Sequence, residues 1–214
     1  MASDERLIVF SRYPQPGKVK TRLIPALGPA GAAELHRRLV EHTVAVVRNF
    51  VDRRPVELEF QHAGGSKDLM AAWLGAAFNY RPQPPGDLGA RMAAAFAGAF
   101  MAGAARVVLV GTDCPDLEVE ILARAFAELR RAEVVLGPAE DGGYYLLGLT
   151  GVLPTLFSAV NWGTAQVFDQ TVTRVRQAGR SLALLPRLAD LDRPPDLANW
   201  PELHAAVIGL GGRG

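Results

Sequence analysis

The predicted fold depends on Val107-Val-Leu-Val-Gly-Thr-Asp113-Cys-Pro-Asp-Leu117, a stretch in the middle of the chain. Its first four residues are apolar and three of them are β-branched, a pattern typical of a short buried strand. A strand without polar alternation is usually covered on both faces, which favours a parallel sheet between two layers of helices. Such sheets bind ligands at the carboxyl ends of their strands, where Asp113 falls.

Strand and helix patterns alternate on both sides of this stretch. Apolar runs and alternation predict strands at residues 7–10, 56–60, 78–81, 107–110, 133–136, 144–149 and 182–185. Helical spacing predicts helices at about 30–50, 66–74, 87–101, 116–131 and 164–179 and from 196 onward, with Ser66, Asp87, Asp116 and Asp196 as caps. We therefore predict an α/β fold, a three-layer αβα sandwich with a mostly parallel sheet, in one domain over residues 1–214.

Composition and charge exclude several classes of protein. The formal net charge is +1 and no long basic stripe exists, which argues against a dedicated nucleic-acid binder. No stretch approaches the roughly twenty apolar residues that cross a bilayer. The single cysteine excludes an internal disulfide, and the charged residues at 4–6 argue against a signal peptide. We expect a cytoplasmic protein. The tail 209–214 matches G-x-G-x-x-G, but no helix pattern follows, and we interpret it as a frayed terminus.

A basic loop follows the first predicted strand. Lys18, Lys20 and Arg22 lie within five residues of one another, on a segment that Pro16 and Gly17 keep out of regular structure. Alternate cations on an extended loop project to one side, and Arg and Lys both bind phosphate oxygens. A solvated surface loop is the plain alternative. The position beside the first strand favours polyphosphate binding.

Acidic turns supply the candidate metal ligands. Asp116 fits the cap position of the next helix, which leaves Asp113 without a structural task and free to hold Mg²⁺ with substrate phosphates. Asp141 lies in an Asp-Gly turn, where a plain turn and a ligand contact are about equally favoured. Asp190 and Asp192 precede the last helix, and either could be a second metal ligand. We favour Asp192 and assign Asp190 to a supporting hydrogen bond.

Five segments together resemble a known family. The chain resembles the bacterial GT-A-type transferases of the selenodomain-associated transferase 1 (glycosyltransferase-like) family. More distantly, it is similar to phospholactate guanylyltransferases and molybdenum-cofactor nucleotidyltransferases. The matching segments are Pro16-Gly-Lys-Val-Lys-Thr-Arg-Leu23, Gly86-Asp-Leu-Gly-Ala-Arg-Met92, Gly111-Thr-Asp-Cys-Pro115, Gly137-Pro-Ala-Glu-Asp-Gly-Gly-Tyr144 and Asp190-Leu-Asp192. The resemblance implies a nucleotide-diphosphate-sugar transferase fold with a nucleotide in the crevice.

The resemblance and the residues together predict an Mg²⁺- or Mn²⁺-dependent nucleotidyltransferase. It would move a nucleotidyl group from a nucleoside triphosphate to a small phosphorylated acceptor. The alternatives are a glycosyltransferase that uses a nucleotide sugar and a catalytically silent nucleotide-binding protein. Each of these three functions is compatible with a homodimer. We expect catalytic roles for Lys20 and Asp113 and metal binding by Asp113 and Asp192. We expect substrate contacts from Arg12, Lys18, Lys20, Arg22, Asp87, Gly89, Asp141, Gly142, Gly143 and Trp162.

Overall fold

A computed structural model describes residues 3–208, which form one seven-stranded sheet with helices on both faces. The strands are β1 (Glu5–Arg12), β2 (Glu57–Ala63), β3 (Asn79–Pro82), β4 (Arg106–Val110), β5 (Val134–Pro138), β6 (Tyr144–Leu149) and β7 (Leu182–Leu184). Their order across the sheet is β3-β2-β1-β4-β6-β5-β7, and β6 alone runs antiparallel to its neighbours. The predicted mostly parallel sheet is confirmed.

Six α-helices connect or follow these strands in the described part of the chain. They are α1 (Ile24–Val51), α2 (Lys67–Leu74), α3 (Leu88–Met101), α4 (Val119–Glu128), α5 (Val167–Gln177) and α6 (Pro201–Ala205). No helix within residues 3–208 combines the length and the apolar composition that a membrane crossing requires.

The apolar residues of the strands fill two cores, one on each face of the sheet. On one face, Val108 and Val110 of β4 pack with residues of α1, α2 and α4. On the other face, Val107 and Leu109 pack with residues of α3 and α5. Successive side chains of a strand point to opposite faces, so an unbroken apolar run supplies both cores. The predicted three-layer sandwich is confirmed.

Several helix boundaries differ from the sequence prediction. α1 begins at Ile24, about one and a half turns before the predicted start, and Gly28 kinks it with a φ of 68° just before Pro29. The prediction that Asp116 caps α4 is wrong: the N-cap is Glu118, and the Asp116 carboxylate accepts a hydrogen bond from Trp200 Nε1 at 3.2 Å. Local spacing cannot reveal a partner 84 residues away.

The cap predicted at the last helix is also wrong. Asp196 lies inside a 3-10 helix (Pro194–Asn199), and its carboxylate accepts hydrogen bonds from the backbone N–H groups of Asp192 and Arg193. Two other predicted caps are confirmed: Ser66 accepts from the N–H of Leu69, and Asp87 accepts from the N–H of Ala90. The predicted frayed tail at 209–214 lies outside the described residues.

Candidate active site

A cavity of about 660 Å³ lies at the carboxyl ends of the parallel strands. Because β6 is antiparallel, its first residue, Tyr144, lies at the same edge as the last residues of β1 and β4. The β1–α1 loop, the β3–α3 loop and the turn after β4 form the walls. The predicted strand-end position of the site therefore coincides with this cavity.

Lys20 is one of the residues that line the cavity, and its side chain is only 3% exposed. Its backbone is left-handed (φ 46°, ψ 43°), which is uncommon for a residue other than glycine and turns the chain into a 3-10 helix (Thr21–Leu23). Its Nζ donates to the carbonyl of Leu191 at 2.7 Å and lies 2.5 Å from Asp113 Oδ1 and 3.7 Å from Asp192 Oδ1. The ammonium thus bridges the two carboxylates predicted to hold metal.

The segment that carries Asp192 is fixed to the rest of the site by its backbone. Leu191 is fully buried in a core beneath α1, and its N–H donates to the carbonyl of Asp113 at 2.9 Å. Asp196 Oδ2 accepts from the N–H of Asp192 at 2.9 Å and so holds the turn closed. Arg22 NH1 donates to Asp192 Oδ2 at 2.6 Å. These contacts place Asp192 at the cavity, beside the same Lys20 ammonium that Asp113 contacts.

The pKa values of Asp113, which lines the cavity, and of Asp190, which does not, are shifted in opposite directions. Loss of water around Asp113 acts to raise the pKa of its carboxyl, but the charge and hydrogen bond of Lys20 outweigh this and lower it. Burial, together with the nearby charge of Asp141, raises the pKa of Asp190 to about 6. Asp113 is therefore ionised at neutral pH, whereas Asp190 lies in surroundings that disfavour its charge.

The structure brings together seven of the residues that the sequence analysis selected. Those that line the cavity are Arg12, Lys18, Lys20, Arg22, Asp87, Asp113 and Asp192. Five others do not line it: Gly89, Asp141, Gly142, Gly143 and Trp162.

These five residues take part in packing and turn contacts. A Cβ on Gly89 would meet the indole of Trp162 at 2.5 Å, so the glycine lets α3 pack against that ring. Trp162 in turn packs edge-on against Tyr144, with ring centroids 6.5 Å apart. Asp141 Oδ1 accepts from the N–H of Gly143 at 2.8 Å within the β5–β6 turn. Gly142, with a φ of 86°, packs against Ala165 before α5.

Four polar or aromatic residues are notable among the cavity residues that sequence reasoning missed. Gln83 and Arg91 lie in and after the β3–α3 loop, and their side chains are hydrogen-bonded to each other at 3.2 Å. Tyr144 begins β6. His36 lies on α1 and is only 4% exposed. Arg91 and Tyr144 carried a signal, because each lies in a segment that supports the family resemblance.

His36 is held as a neutral imidazole. Burial lowers its pKa, although the charge of Asp113 acts to raise it. Its Nε2 lies 3.1 Å from the carbonyl of Arg12, and a carbonyl only accepts, so Nε2 carries the proton. Nδ1 is then an acceptor, and it has no partner among the residues described. The imidazole supports the end of β1, where the basic loop begins.

Positive charge predominates in the cavity wall. It contains five cationic side chains, Arg12, Lys18, Lys20, Arg22 and Arg91, and three carboxylates, Asp87, Asp113 and Asp192. Within residues 3–208, the side chains of Arg12 and Lys18 form no ion pair, whereas Lys20 and Arg22 do. Asp87 is used as the cap of α3. The wall therefore suits an anion, with Arg12 and Lys18 available to bind it.

The carboxylates fit a magnesium ion only in company with phosphate. No cluster of three His, Cys, Asp or Glu side chains able to hold a metal occurs in the part of the chain that the structure describes. Asp113 and Asp192 supply two hard oxygen ligands, and proteins commonly hold Mg²⁺ with one or two carboxylates plus substrate phosphates and water. The donor set therefore suits a metal that arrives with a polyphosphate.

Comparison with known proteins gives the family and the fold. Residues 46–164 match the model of a family described as an uncharacterized protein conserved in bacteria (DUF2064). The chain belongs to this family. A crystal structure from Desulfovibrio desulfuricans, provisionally named a nucleotide-diphospho-sugar transferase, is 35% identical to this DUF2064 protein. It matches with a TM-score of 0.84 over 94% of this chain and 88% of that one.

More distant solved structures share the fold of this DUF2064 protein. The 4-diphosphocytidyl-2C-methyl-D-erythritol synthase of Anaerococcus prevotii is 10% identical, with a TM-score of 0.61 over 95% of this chain and 96% of that one. Glucosyl-3-phosphoglycerate synthase of Mycobacterium tuberculosis, in complex with Mg²⁺ and uridine diphosphate, is 10% identical, with a TM-score of 0.55 over 97% and 79%. No curated protein matches by sequence. The nucleotide-diphospho-sugar transferase fold is thereby shown, and the finer resemblances stay predictions.

Proposed function

We propose that this DUF2064 protein is an Mg²⁺-dependent nucleotidyltransferase, which transfers a nucleotidyl group from a nucleoside triphosphate to a small phosphorylated acceptor. One observation carries the proposal: a cation-rich cavity at the strand ends contains two carboxylates joined by the Lys20 ammonium. A triphosphate carries more negative charge than a nucleotide-sugar diphosphate, so the excess of cations favours the nucleotidyltransferase.

The chain's own residues divide the binding of such a substrate between them. Arg12 and Lys18 contact the outer phosphates, since neither has an ion-pair partner in the described residues. Arg22 and Lys20 contact the phosphates nearer the carboxylates. Asp113 and Asp192 would hold the metal, which when bound neutralises the charge of the phosphate oxygens. Tyr144 and Met92 form an apolar part of the wall against which a base or an acceptor can pack.

The reaction then needs little covalent chemistry from the protein. An oxygen of the acceptor phosphate attacks the α-phosphorus, the bond between the α- and β-phosphates breaks, and pyrophosphate leaves with the electron pair. Positioning and electrostatic stabilisation supply most of the catalysis in transfers of this kind. Lys20 is the cation best placed to stabilise charge near Asp113, because its Nζ is only 2.5 Å from that carboxylate.

A glycosyltransferase is the second candidate, and one observation favours it. The Desulfovibrio desulfuricans relative, at 35% identity, carries the name of a nucleotide-diphospho-sugar transferase. In that reaction the same cations would bind a nucleotide diphosphate as it leaves the sugar.

A ligand screen by thermal unfolding separates the two candidates. The four ribonucleoside triphosphates and a set of nucleotide sugars are each tested with and without Mg²⁺. A ligand at about a hundred times its dissociation constant stabilises a protein by roughly 2.7 kcal/mol. We expect one triphosphate to stabilise the protein with Mg²⁺ and to release pyrophosphate in the presence of phosphorylated acceptors.

The matched control is Asp113→Asn, which removes a charge while keeping the shape of the side chain. This variant is expected to fold but to lose Mg²⁺-dependent turnover by at least about a hundredfold. Wild-type turnover by the folded variant would show that Asp113 holds no catalytic metal. Stabilisation by nucleotide sugars alone would favour the glycosyltransferase instead, and stabilisation by any nucleotide without turnover would indicate a nucleotide-binding protein.

A further inference from the structure

The two carboxylates assigned to metal are already paired with cations of the chain itself. Asp192 Oδ2 accepts from Arg22 NH1 at 2.6 Å, and its Oδ1 lies 3.7 Å from Lys20 Nζ. Asp113 Oδ1 lies 2.5 Å from the same Nζ. A divalent ion bound to these oxygens would lie within a few ångströms of two positive side chains, so electrostatic repulsion opposes its entry.

Lys20 is also held firmly in its place. Its side chain is 3% exposed, and its ammonium donates to the carbonyl of Leu191 at 2.7 Å as well as to Asp113. Both partners lie on segments that are bonded to each other through the Leu191 N–H and the Asp113 carbonyl. Separating a buried ammonium from its anionic partners is unfavourable unless another anion replaces them. Phosphate oxygens in the cavity would be such a replacement.

We infer that the free protein excludes divalent metal from Asp113 and Asp192, and that metal enters only when nucleotide phosphates draw Lys20 and Arg22 away. The inference rests on the proposed function, since the phosphates of the nucleotide are the entering anions. The ion pairs that Lys20 and Arg22 form with Asp113 and Asp192 are exchanged for cation–phosphate and carboxylate–metal contacts. Nucleotide and metal then bind cooperatively, and each raises the affinity of the other by the same factor.

Metal exclusion is tested with Mn²⁺ alone, in the absence of nucleotide. Binding of Mn²⁺ is measured by calorimetry or by electron paramagnetic resonance. Wild-type protein is expected to show no saturable site that depends on Asp113. Lys20→Met and Lys20→Gln, which remove the ammonium, are each expected to gain one site at least about tenfold tighter. Asp113→Asn added to either variant should abolish that site.

The controls distinguish three causes of a changed Mn²⁺ affinity. These are loss of the Lys20 ammonium between Asp113 and Asp192, loss of any positive charge, and loss of the fold. Lys18→Met removes a cation from the same loop that has no ion-pair partner within the described residues. Without nucleotide it should, like the wild type, show no Mn²⁺ site that depends on Asp113. Lys20→Gln keeps a donor for the Leu191 carbonyl, so it carries the test if the methionine variant fails to fold. Thermal unfolding of each variant shows whether it is folded.

Two results would overturn the inference. One is wild-type protein that binds Mn²⁺ without nucleotide at a site abolished by Asp113→Asn, a comparison that needs no Lys20 variant. The other is a folded Lys20 variant that gains no Mn²⁺ site. Failure of the proposed function looks different: no nucleotide would stabilise the wild type, while the Lys20 variants would still gain their Mn²⁺ site.

Discussion

Asp190 and Asp192 have different surroundings although only one residue separates them. Leu191 anchors the segment in the core beneath α1. Asp192 lines the cavity and pairs with Arg22, whereas Asp190 lies near the negative charge of Asp141. In a regular extended strand both carboxylates would share a side, but the turn closed by Asp196 gives them different surroundings. The carboxylate at position 190 is therefore unfavourable for folding when it is ionised.

This difference predicts that Asp190→Asn stabilises the protein at pH 7. The pKa of Asp190 is about 6 in the folded chain against an ordinary 3.8, so the folded state binds its proton more tightly. Its contribution to stability is fully present below about pH 4 and is lost as pH rises through 6. The amide should add about 1–3 kcal/mol at pH 7 and nothing at pH 4. Urea unfolding of both proteins at the two pH values measures the difference.

The neighbouring substitution supplies the comparison for this prediction. Asp192→Asn removes the carboxylate that Arg22 and Lys20 face, so it should destabilise the protein at pH 7 and leave the Asp190 effect intact. A less stable Asp190→Asn variant at pH 7 would contradict the prediction and would show that this carboxylate makes a favourable contact.

At the scale of the element, α3 shows how a helix can serve the site through packing. Its N-terminus, capped by Asp87, forms part of the cavity wall. Two residues after this cap, Gly89 admits the Trp162 indole, which supports Tyr144 at the cavity. Sequence reasoning selected Gly89 and Trp162 as substrate contacts, and the structure offers packing as the other explanation.

A pair of glycines in α3 distinguishes the two explanations. Gly89→Ala places a methyl 2.5 Å from the indole of Trp162, and we expect a loss of about 1–3 kcal/mol in the free energy of unfolding. Gly98→Ala, on the same helix with nothing within 4 Å, should instead gain about 0.5–1 kcal/mol from helix propensity. Chemical unfolding measures both. Unchanged stability in Gly89→Ala with weaker nucleotide binding would favour a direct substrate contact.

The strands and helices could be predicted from the sequence where a local pattern of residues determines them. Apolar periodicity gave the strands and most helices, and β6 has its predicted bounds because tyrosines and leucines begin and end there. The pairing of Lys20 with Leu191 spans 171 positions, and no local pattern encodes it. The same holds for Asp116, whose local spacing resembled a cap although its partner, Trp200, belongs to the end of the chain.

For the site, sequence reasoning identified the basic loop and the strand-end aspartate. It did not identify the ion pair between Lys20 and Asp113 that joins them. A strand end followed by Asp113 marks the ligand edge of a parallel sheet, and that rule holds wherever such sheets form. Whether Lys20 faces a ligand or another side chain depends on the left-handed backbone at this residue, which a lysine seldom adopts. His36 was missed because a single polar residue on a helix does not reveal its burial.

At the scale of the whole molecule, charge is nearly balanced but unevenly placed. The chain has a formal net charge of +1, whereas the cavity wall has five cationic side chains and three carboxylates. One of those carboxylates caps α3, and the other two are paired with lysine or arginine. The positive field that a ligand meets therefore comes mainly from Arg12 and Lys18, both at the exposed mouth of the cavity.

Arg12 and Lys18 are exposed, so dissolved salt screens their attraction for phosphate. Nucleotide affinity should therefore fall as ionic strength rises. Raising KCl from about 0.1 M to about 1 M shortens the Debye length from about 10 Å to about 3 Å, and we expect roughly tenfold weaker binding. Lys18→Gln should bind more weakly at low salt and should lose part of this dependence. Lys67→Gln on α2, an exposed lysine outside the cavity, should keep the wild-type dependence. Titration calorimetry with the triphosphate selected by thermal unfolding measures all three proteins.

An affinity that does not change with salt, or an equal effect of Lys67→Gln, would contradict nucleotide binding in this cavity. The reason is that only charges close to the bound phosphates can contribute at the shorter screening length.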